Sequence, residues 1–318
     1  MGLLSVSNLK KSASKSVSKM FRSNGAMTDQ RALKDAYSLR RLRLAIFSLG
    51  SFLLLSLIAF IATPYDPMKP VGQVLLGPSL KHLLGTDHLG RDILSRLAYA
   101  AIPSLLMASL TILIAVVLGF FLGVAASYPR RRLTYLPERL IDLLFAFPSV
   151  LLALLFATIA GPSIWSAVLA LAIAFVPSFA RVVSAAVVRY RHHNFIRRIE
   201  LTGVHPLFVI LKQLLPLMWG DLLTACGIGM ANALLAEATL SYLGLGLPAT
   251  IPSYGRMLRE AQNAIYFAPH AALAPGLSLV IWVLSFFLLG DGLSDWMQRR
   301  EHLHENGDLA KEVKRGSV

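Results

Sequence analysis

Ile102–Ser127 reads IPSLLMASLTILIAVVLGFFLGVAAS and carries no charged side chain. A helix needs ~20 apolar residues to cross the hydrocarbon core of a bilayer, so this stretch predicts a membrane span. Gly119 and Gly123 stand four apart within it. Such a pair lets two helices approach closely in lipid. The neighbour could belong to this chain or to a partner.

Five further segments fit or nearly fit the same length: Leu44–Ala62, Leu140–Ala160, Ile164–Ala180, Leu214–Ala236 and Ala271–Gly290. Gly161-Pro162-Ser163 separates two of them, a turn signal that predicts a hairpin of antiparallel helices. Pro148 and Pro177 fall inside spans and should kink or loosen them. Of the 318 residues 55% are hydrophobic and 15% charged, against roughly 25% charged in soluble domains. The expected fold is therefore all-α and polytopic, with about six transmembrane helices.

The basic residues lie between the apolar runs rather than on one nucleic-acid-binding face. With six spans, 25 of the 31 Lys and Arg fall on one side and six on the other. Positive charge marks the cytoplasmic side, so both termini are expected in the cytoplasm, in a plasma-membrane protein. The organisation is then a cytoplasmic tail over residues 1–43, a first span over 44–62 and an extracytoplasmic segment over 63–101. A five-helix core over 102–290 follows, with a cytoplasmic loop at 181–215, and a cytoplasmic tail covers 291–318. The basic, Ser-rich first segment is too long and polar for the head of a cleaved signal peptide. The outer segments Thr63–Ala101 and Glu237–His270, rich in Pro and Gly, could form short helices on the outer face.

Charged groups inside spans cost about 2.5–3.5 kcal/mol each at a helix centre, and few occur here. Asp142 lies near the start of the third span, where pairing with Arg139 or a capping role is expected. Asp221 lies in the fifth, Glu237 closes the fifth and Asp291 closes the sixth. Only Asp221 approaches mid-membrane, which argues against a carrier driven by its own proton relay. No lysine follows a glycine, so the phosphate-cradling GxxxxGK[ST] loop is absent, as are HExxH and GxSxG. No enzyme is indicated. His302-Leu303-His304-Glu305 and His192-His193 read as solvated basic or tail segments, not metal sites. Cys226, the lone cysteine, can make no internal disulfide. Between the fourth and fifth spans, Phe195–Pro216 reads FIRRIELTGVHPLFVILKQLLP. This basic loop suits docking of a cytoplasmic partner.

Several motifs occur together in order. Gly85-Thr86-Asp87-His88-Leu89-Gly90-Arg91-Asp92-Ile93-Leu94-Ser95-Arg96 is followed by Arg139-Leu140-Ile141-Asp142 with Phe147-Pro148. Then come Glu237-Ala238-Thr239-Leu240-Ser241-Tyr242-Leu243-Gly244-Leu245-Gly246, Ser253-Tyr254-Gly255-Arg256-Met257-Leu258 and Gly290-Asp291. From about Pro64 to Arg300 the chain resembles the permease subunits of ABC transporters of the peptide/nickel family, the dipeptide and oligopeptide permease C group. The resemblance implies an ABC importer permease-like helical bundle. It further implies a homologous second permease, two cytoplasmic ATPase subunits that bind the ATP and Mg, and an extracytoplasmic substrate-binding protein. It also implies a lipid setting, no nucleic acid, and no cofactor or metal on this chain. The family's coupling loop has the pattern EAAxxxG followed by LP. Gly203, Leu215 and Pro216 match it, whereas Arg197, Arg198 and Ile199 replace Glu-Ala-Ala between Phe195 and Glu200. Arginines in that place could pair with carboxylates on the ATPase. The cargo implied is di- or oligopeptide or antimicrobial peptide, with nickel or another small solute as the alternative. A self-contained channel or secondary carrier is the alternative of another class, and a membrane scaffold or receptor a further one.

Overall fold

The computed structural model describes residues 42–54, 56–58, 65–127, 135–161, 163–191 and 206–315, with the isolated positions 40, 61 and 204. Most of the expected N-terminal tail and the coupling positions Phe195, Arg197, Arg198, Glu200 and Gly203 lie outside the described residues. α1 covers Leu42–Ile58, α2 Ile93–Ser127, α3 Tyr135–Phe145, α4 Ser149–Ala160 and α5 Ile164–Arg191. A helical turn at Pro206–Val209 and a π turn at Ile210–Leu214 lead into α6, Leu215–Leu243. α7, Tyr254–Ala261, and α8, Pro269–Arg315, complete the order. Among the described residues the only strand-like pairing is one antiparallel bridge, Thr86 with Asp92.

Ile93–Ser127, Ile164–Arg191, Ile210–Leu243 and Pro269–Met297 are long and apolar enough to cross a membrane. α3 and α4 make a fifth span if the bent pair counts as one. α1 is apolar but shorter. The expected elements change in several places. The outer segment 63–101 ends nine residues early, because Asp92 caps α2: its Oδ2 accepts from the Ser95 N–H at 2.8 Å. No helix forms over residues 65–92, which fold as linked turns. The third span, expected as one helix over Leu140–Ala160, is two helices bent by 93°. Pro148 lacks an N–H and disfavours helical backbone at Phe147, and it sits extended at φ −55°, ψ 129°. Asp291 does not end the last helix, since α8 runs through it to Arg315. Glu237 likewise does not end its helix. α6 continues to Leu243 and stops at Gly244, whose φ of 88° releases the chain into a left-handed turn. By contrast Pro177 leaves α5 a single helix.

Small residues set the crossings. A methyl on Gly119 would stand 2.7 Å from Phe179 Cβ and 3.0 Å from Ala180 N, so α2 lies directly on α5. The glycine pair thus packs within the chain. On the other side, a methyl on Gly227 would stand 2.7 Å from Gly290 Cα, joining α6 to α8. Phe179 also fills the space over Gly229, tying α5 to α6. One core cluster spans α2, α4, α5, α6, α7 and α8. A second gathers Phe120, Val183, Tyr190, Leu214 and Met218 at the far end. The α2 side chains Leu106, Leu110, Leu113, Val117 and Phe121, spaced three or four apart, point outward and stay exposed, as a lipid- or subunit-facing stripe requires. α1 lies against α8, with Phe52 edge-on to Trp282 at 5.1 Å and Ser48 Oγ 2.8 Å from Ser285 Oγ.

Candidate functional site

The residues singled out by sequence gather at the two ends of the bundle. At one end, residues 65–92 fold into a knot over the start of α2. Val71 and Gly72 N–H groups both donate to Gly90 O, at 2.9 and 3.1 Å. Thr86 Oγ1 donates to Gln73 O at 2.6 Å and accepts from the Leu76 N–H at 2.8 Å. Gly85 and Gly90 take positive φ, 80° and 73°, which favours glycine at both turns. His82 Nδ1 lies 2.9 Å from Asp92 Oδ1, so Asp92 serves the cap and the knot together.

Asp87 is the centre of this knot. Its Oδ1 accepts from the N–H groups of Leu89 and Arg91, at 2.8 and 2.9 Å. Its Oδ2 accepts from Arg91 Nε at 2.8 Å and from Arg96. Both guanidinium groups also donate to Glu260 Oε2 on α7, each at 2.7 Å. Burial alone would push the Asp87 carboxyl up. The Arg91 N–H, the Arg96 charge, the Leu89 N–H and the Arg91 charge together hold it below the usual carboxylate range. Asp87, His88 and Glu260 place ligand-type atoms within 4.8 Å of one another. All the bonding capacity that Asp87 directs inward is used by four donors, two of them cations. The arrangement therefore works as an ion-pair cluster that fastens the knot to α7.

Glu237, Gly244 and Gly246 lie in the adjoining junction between α6 and α7. Glu237 is wholly buried. Its Oε1 accepts from Ser241 Oγ at 2.7 Å, and its Oε2 has no hydrogen-bond partner among the described residues. The Ser104 hydroxyl of α2 lies beside it. Ser241 Oγ also accepts from the Leu247 N–H at 3.2 Å, and a methyl on Gly246 would stand 2.7 Å from Ser241 Cα. Ser253 caps α7 by accepting from the Arg256 N–H. Tyr254 is buried and accepts from Trp282 Nε1 at 3.0 Å, which pins α7 to α8.

The far end holds Arg139 and Asp142 on α3, Pro148 at the bend, Gly290 and Asp291 on α8, and Leu215 and Pro216 at the start of α6. Asp142 does not pair with Arg139 as expected. Its partner is Arg181 of α5, at 2.6 Å, and the same guanidinium lies 4.7 Å over the Phe145 ring. The longer α5 explains the difference: it reaches past Ala180 and brings Arg181 across to α3. Arg189 pairs in the same way with Asp221 of α6. α5 thereby carries two arginines that tie it to both neighbours.

The sequence family described as binding-protein-dependent transport system inner membrane component matches residues 115–302. The chain belongs to this family. It is 37% identical over 262 residues to the dipeptide transport system permease protein DppC of Alkalihalophilus pseudofirmus, covering 81% of this chain and 86% of that protein. It is 35% identical over 261 residues to the di/tripeptide transport system permease protein DppC of Pseudomonas aeruginosa, covering 78% and 86%. The glutathione transport system permease protein GsiD of Escherichia coli O1:K1 is 34% identical over 261 residues, covering 80% and 86%. Among solved structures, an inward-facing MetNI methionine ABC transporter chain superposes with a TM-score of 0.54 at 19% identity, covering 62% of this chain and 94% of that chain. That likeness shows the fold.

As an inner-membrane component of a binding-protein-dependent transport system, the chain is a multi-pass transport subunit rather than a catalytic one. The matched residues 115–302 run from the middle of α2 into α8 and leave out the knot. Sequence reasoning singled out Asp87 and Arg91 but missed Glu260, which closes their cluster. The signal was present: Glu260 is among the few acidic residues of the segments 63–101 and 237–270, which hold six of the chain's basic ones. Arg181 and Arg189 were counted only as loop charges. Their place on the last turns of a longer helix was not marked by any break in the sequence.

Proposed function

We propose that this chain is one of two homologous permeases of an ATP-driven importer of di- or oligopeptides. The observation that carries this reading is the likeness, over about four fifths of the chain, to a dipeptide permease. Two cytoplasmic ATPases hold the ATP and Mg, and a soluble binding protein delivers the peptide. The knot end lies outside the cell; the far end and both termini lie in the cytoplasm. The charge bias between the loops supports this orientation.

In this reading, ATP binding moves the ATPases together. The segment Phe195–Gly203, joined to α5 before it and to α6 after it, transmits the movement. α5 and α6 meet through the Arg189–Asp221 pair, so a push on the connecting segment reaches both helices near that contact. The bundle then opens to one side at a time. Arg197 and Arg198 pair with carboxylates on the ATPase surface in place of the family's small residues. The test is reconstitution of the whole complex in liposomes with a dipeptide inside or outside. Uptake should require ATP, the ATPases and the binding protein. Arg197→Glu with Arg198→Glu should leave ATP hydrolysis running without uptake. Uptake by this chain alone would instead establish a channel or carrier, and normal coupling in the double variant would refute the charge pairing.

A further inference from the structure

The outward faces of the long helices are not alike. Every exposed residue of α8 between Leu273 and Phe287 is apolar, and the exposed stripe of α2 is built from large apolar side chains. On α6 the outward face reads differently. Asp221, Ala225, Ile228, Asn232, Leu235 and Thr239 follow one another three or four apart, which sets them on one side of the helix. Asn232, Leu235 and Thr239 are exposed, and the other three are half-buried.

α5 continues this face. Arg189 reaches Asp221 across the surface, and the two side chains are 55% and 31% exposed. Ser178 and Ala185, also exposed, stand eleven and four residues before Arg189 and share its side of α5. Asn232 lies eleven residues from Asp221 and eleven from Leu243, about 16 Å in either direction. That is the middle of a hydrocarbon core ~30 Å thick. Thr239 satisfies its hydroxyl on its own helix, donating to Leu235 O at 2.8 Å. No hydrogen bond among the described residues engages the Asn232 carboxamide. Lipid against this face would leave that amide unpaired and would strip water from an exposed ion pair. Ionisable and polar groups at such depth face a water-filled cavity instead.

We propose that the outward face of α5 and α6, from Ser178 and Arg189 across Asp221 to Asn232 and Thr239, is a wet wall of the peptide path, with Asn232 at mid-depth as the group that meets the moving peptide backbone. This rests on the reading of the chain as a peptide permease. The chemistry of the face selects the occupant. A carboxamide carries a carbonyl acceptor and two N–H donors, the complement of a peptide group's N–H and C=O. The two charges of the face, Arg189 and Asp221, neutralise each other, so it grips the backbone that peptides share without selecting the charge of their side chains.

The experiment uses the whole complex of both permeases, both ATPases and the binding protein in liposomes. Cys226→Ala removes the chain's one cysteine. On that background, Asn232→Cys and Thr239→Cys should react with a charged, membrane-impermeant methanethiosulfonate about tenfold faster or more than Leu113→Cys on α2 and Leu277→Cys on α8. Asn232→Leu should lower dipeptide uptake by about fivefold to tenfold, the loss of one hydrogen bond, while ATP hydrolysis continues. Asn232→Ser should retain most of the uptake. A dipeptide analogue with an ester in place of the amide lacks the N–H. The preference of the complex for the amide over the ester should shrink in Asn232→Leu. The binding protein is the same in both complexes, so that change belongs to residue 232. Thiols at 232 and 239 as unreactive as those on α2 and α8 overturn the proposal. So does uptake that Asn232→Leu leaves unchanged. Dissociation of the two permeases in Asn232→Leu also overturns it, by making the face their mutual contact. A wild-type complex that hydrolyses ATP and takes up no dipeptide defeats the transport reading and this proposal together, whereas unreactive thiols beside normal uptake defeat this proposal alone.

Discussion

Asp87→Asn tests whether the knot is held by its ion-pair cluster. Asparagine keeps one oxygen for the Leu89 and Arg91 N–H groups but sets an amide donor against Arg91 Nε and the Arg96 guanidinium. The side chains involved are 8%, 7% and 2% exposed, in the order Asp87, Arg91, Arg96, so water cannot replace the lost acceptor. Removing one partner from a buried ion pair costs about 3–5 kcal/mol. Glu260 still receives both arginines, which places the expected cost at the lower figure, ~3 kcal/mol. If the knot opens locally, that loss speeds exchange of its amides by roughly a hundredfold, at about 1.4 kcal/mol per decade. The reporting amides are Asp87, Gly90, Arg91 and Ile93, which donate within the knot. Hydrogen exchange read by mass spectrometry on the nanodisc complex should show fast exchange there and unchanged protection in α2 near Gly119. Because the Asp87 carboxyl is held below its ordinary range, its contribution is fully present above the unfolded carboxylate value, ~3.9. It is lost as pH falls through the lower folded value. Acidification into that window should therefore open the wild-type knot, and Asp87→Asn should flatten the response. Knot amides that stay as protected in the variant as in the wild type would refute the reasoning.

Two other outcomes are expected. Gly227→Leu should lower the thermal midpoint of the detergent-solubilised chain by the equivalent of about 1–3 kcal/mol, because its first carbon meets the Gly290 backbone at 2.7 Å. Gly276→Ala should be nearly silent, since the nearest atom to its methyl is 3.7 Å away; equal effects at both sites would sink the close-packing argument. A double-mutant cycle on Arg181 and Asp142 should give a coupling below about 1 kcal/mol, as their side chains are 58% and 62% exposed. A coupling of several kcal/mol would show that lipid or another subunit covers the pair.

The spans were legible because apolar length is a strong signal and survives local irregularity. Their ends were less so. The start of α2 was hidden by treating Asp92 as a motif residue, although an Asp directly before an apolar-periodic run is also an N-cap signal. Pro148 was legible as a kink, but its angle depends on α4 finding a packing surface on α5 through Leu152, Ala153 and Ala157, which no local pattern records. The Gly119–Gly123 pair announced a close contact without naming Phe179 and Ala180 as its neighbours. Asp87 and Arg91 were singled out as family motif residues. Their role depends on Glu260, 169 positions further on from Arg91, and separation of that order leaves no periodic trace. The coupling residues lie outside the described residues, so their reading still rests on sequence.

The packing divides the bundle into two stiff pairs joined along a seam. α2 and α5 meet backbone to backbone at Gly119 and Gly123, and α6 and α8 do the same at Gly227 and Gly290. Such contacts cannot slide without driving carbon into backbone atoms, and packed interiors resist that steeply. Between the pairs, the Phe179 ring edge rests on Gly229, and the exposed Arg189 reaches Asp221. The half-exposed ion pair can shift at low cost, whereas the buried Phe179 ring is held in the core. At the knot end the seam is crossed by buried ties: Arg96 of α2 holds Glu260 of α7, and Tyr254 of α7 holds Trp282 of α8. The far end is crossed as well, by the buried cluster that joins Val183 and Tyr190 of α5 to Met218 and Leu222 of α6.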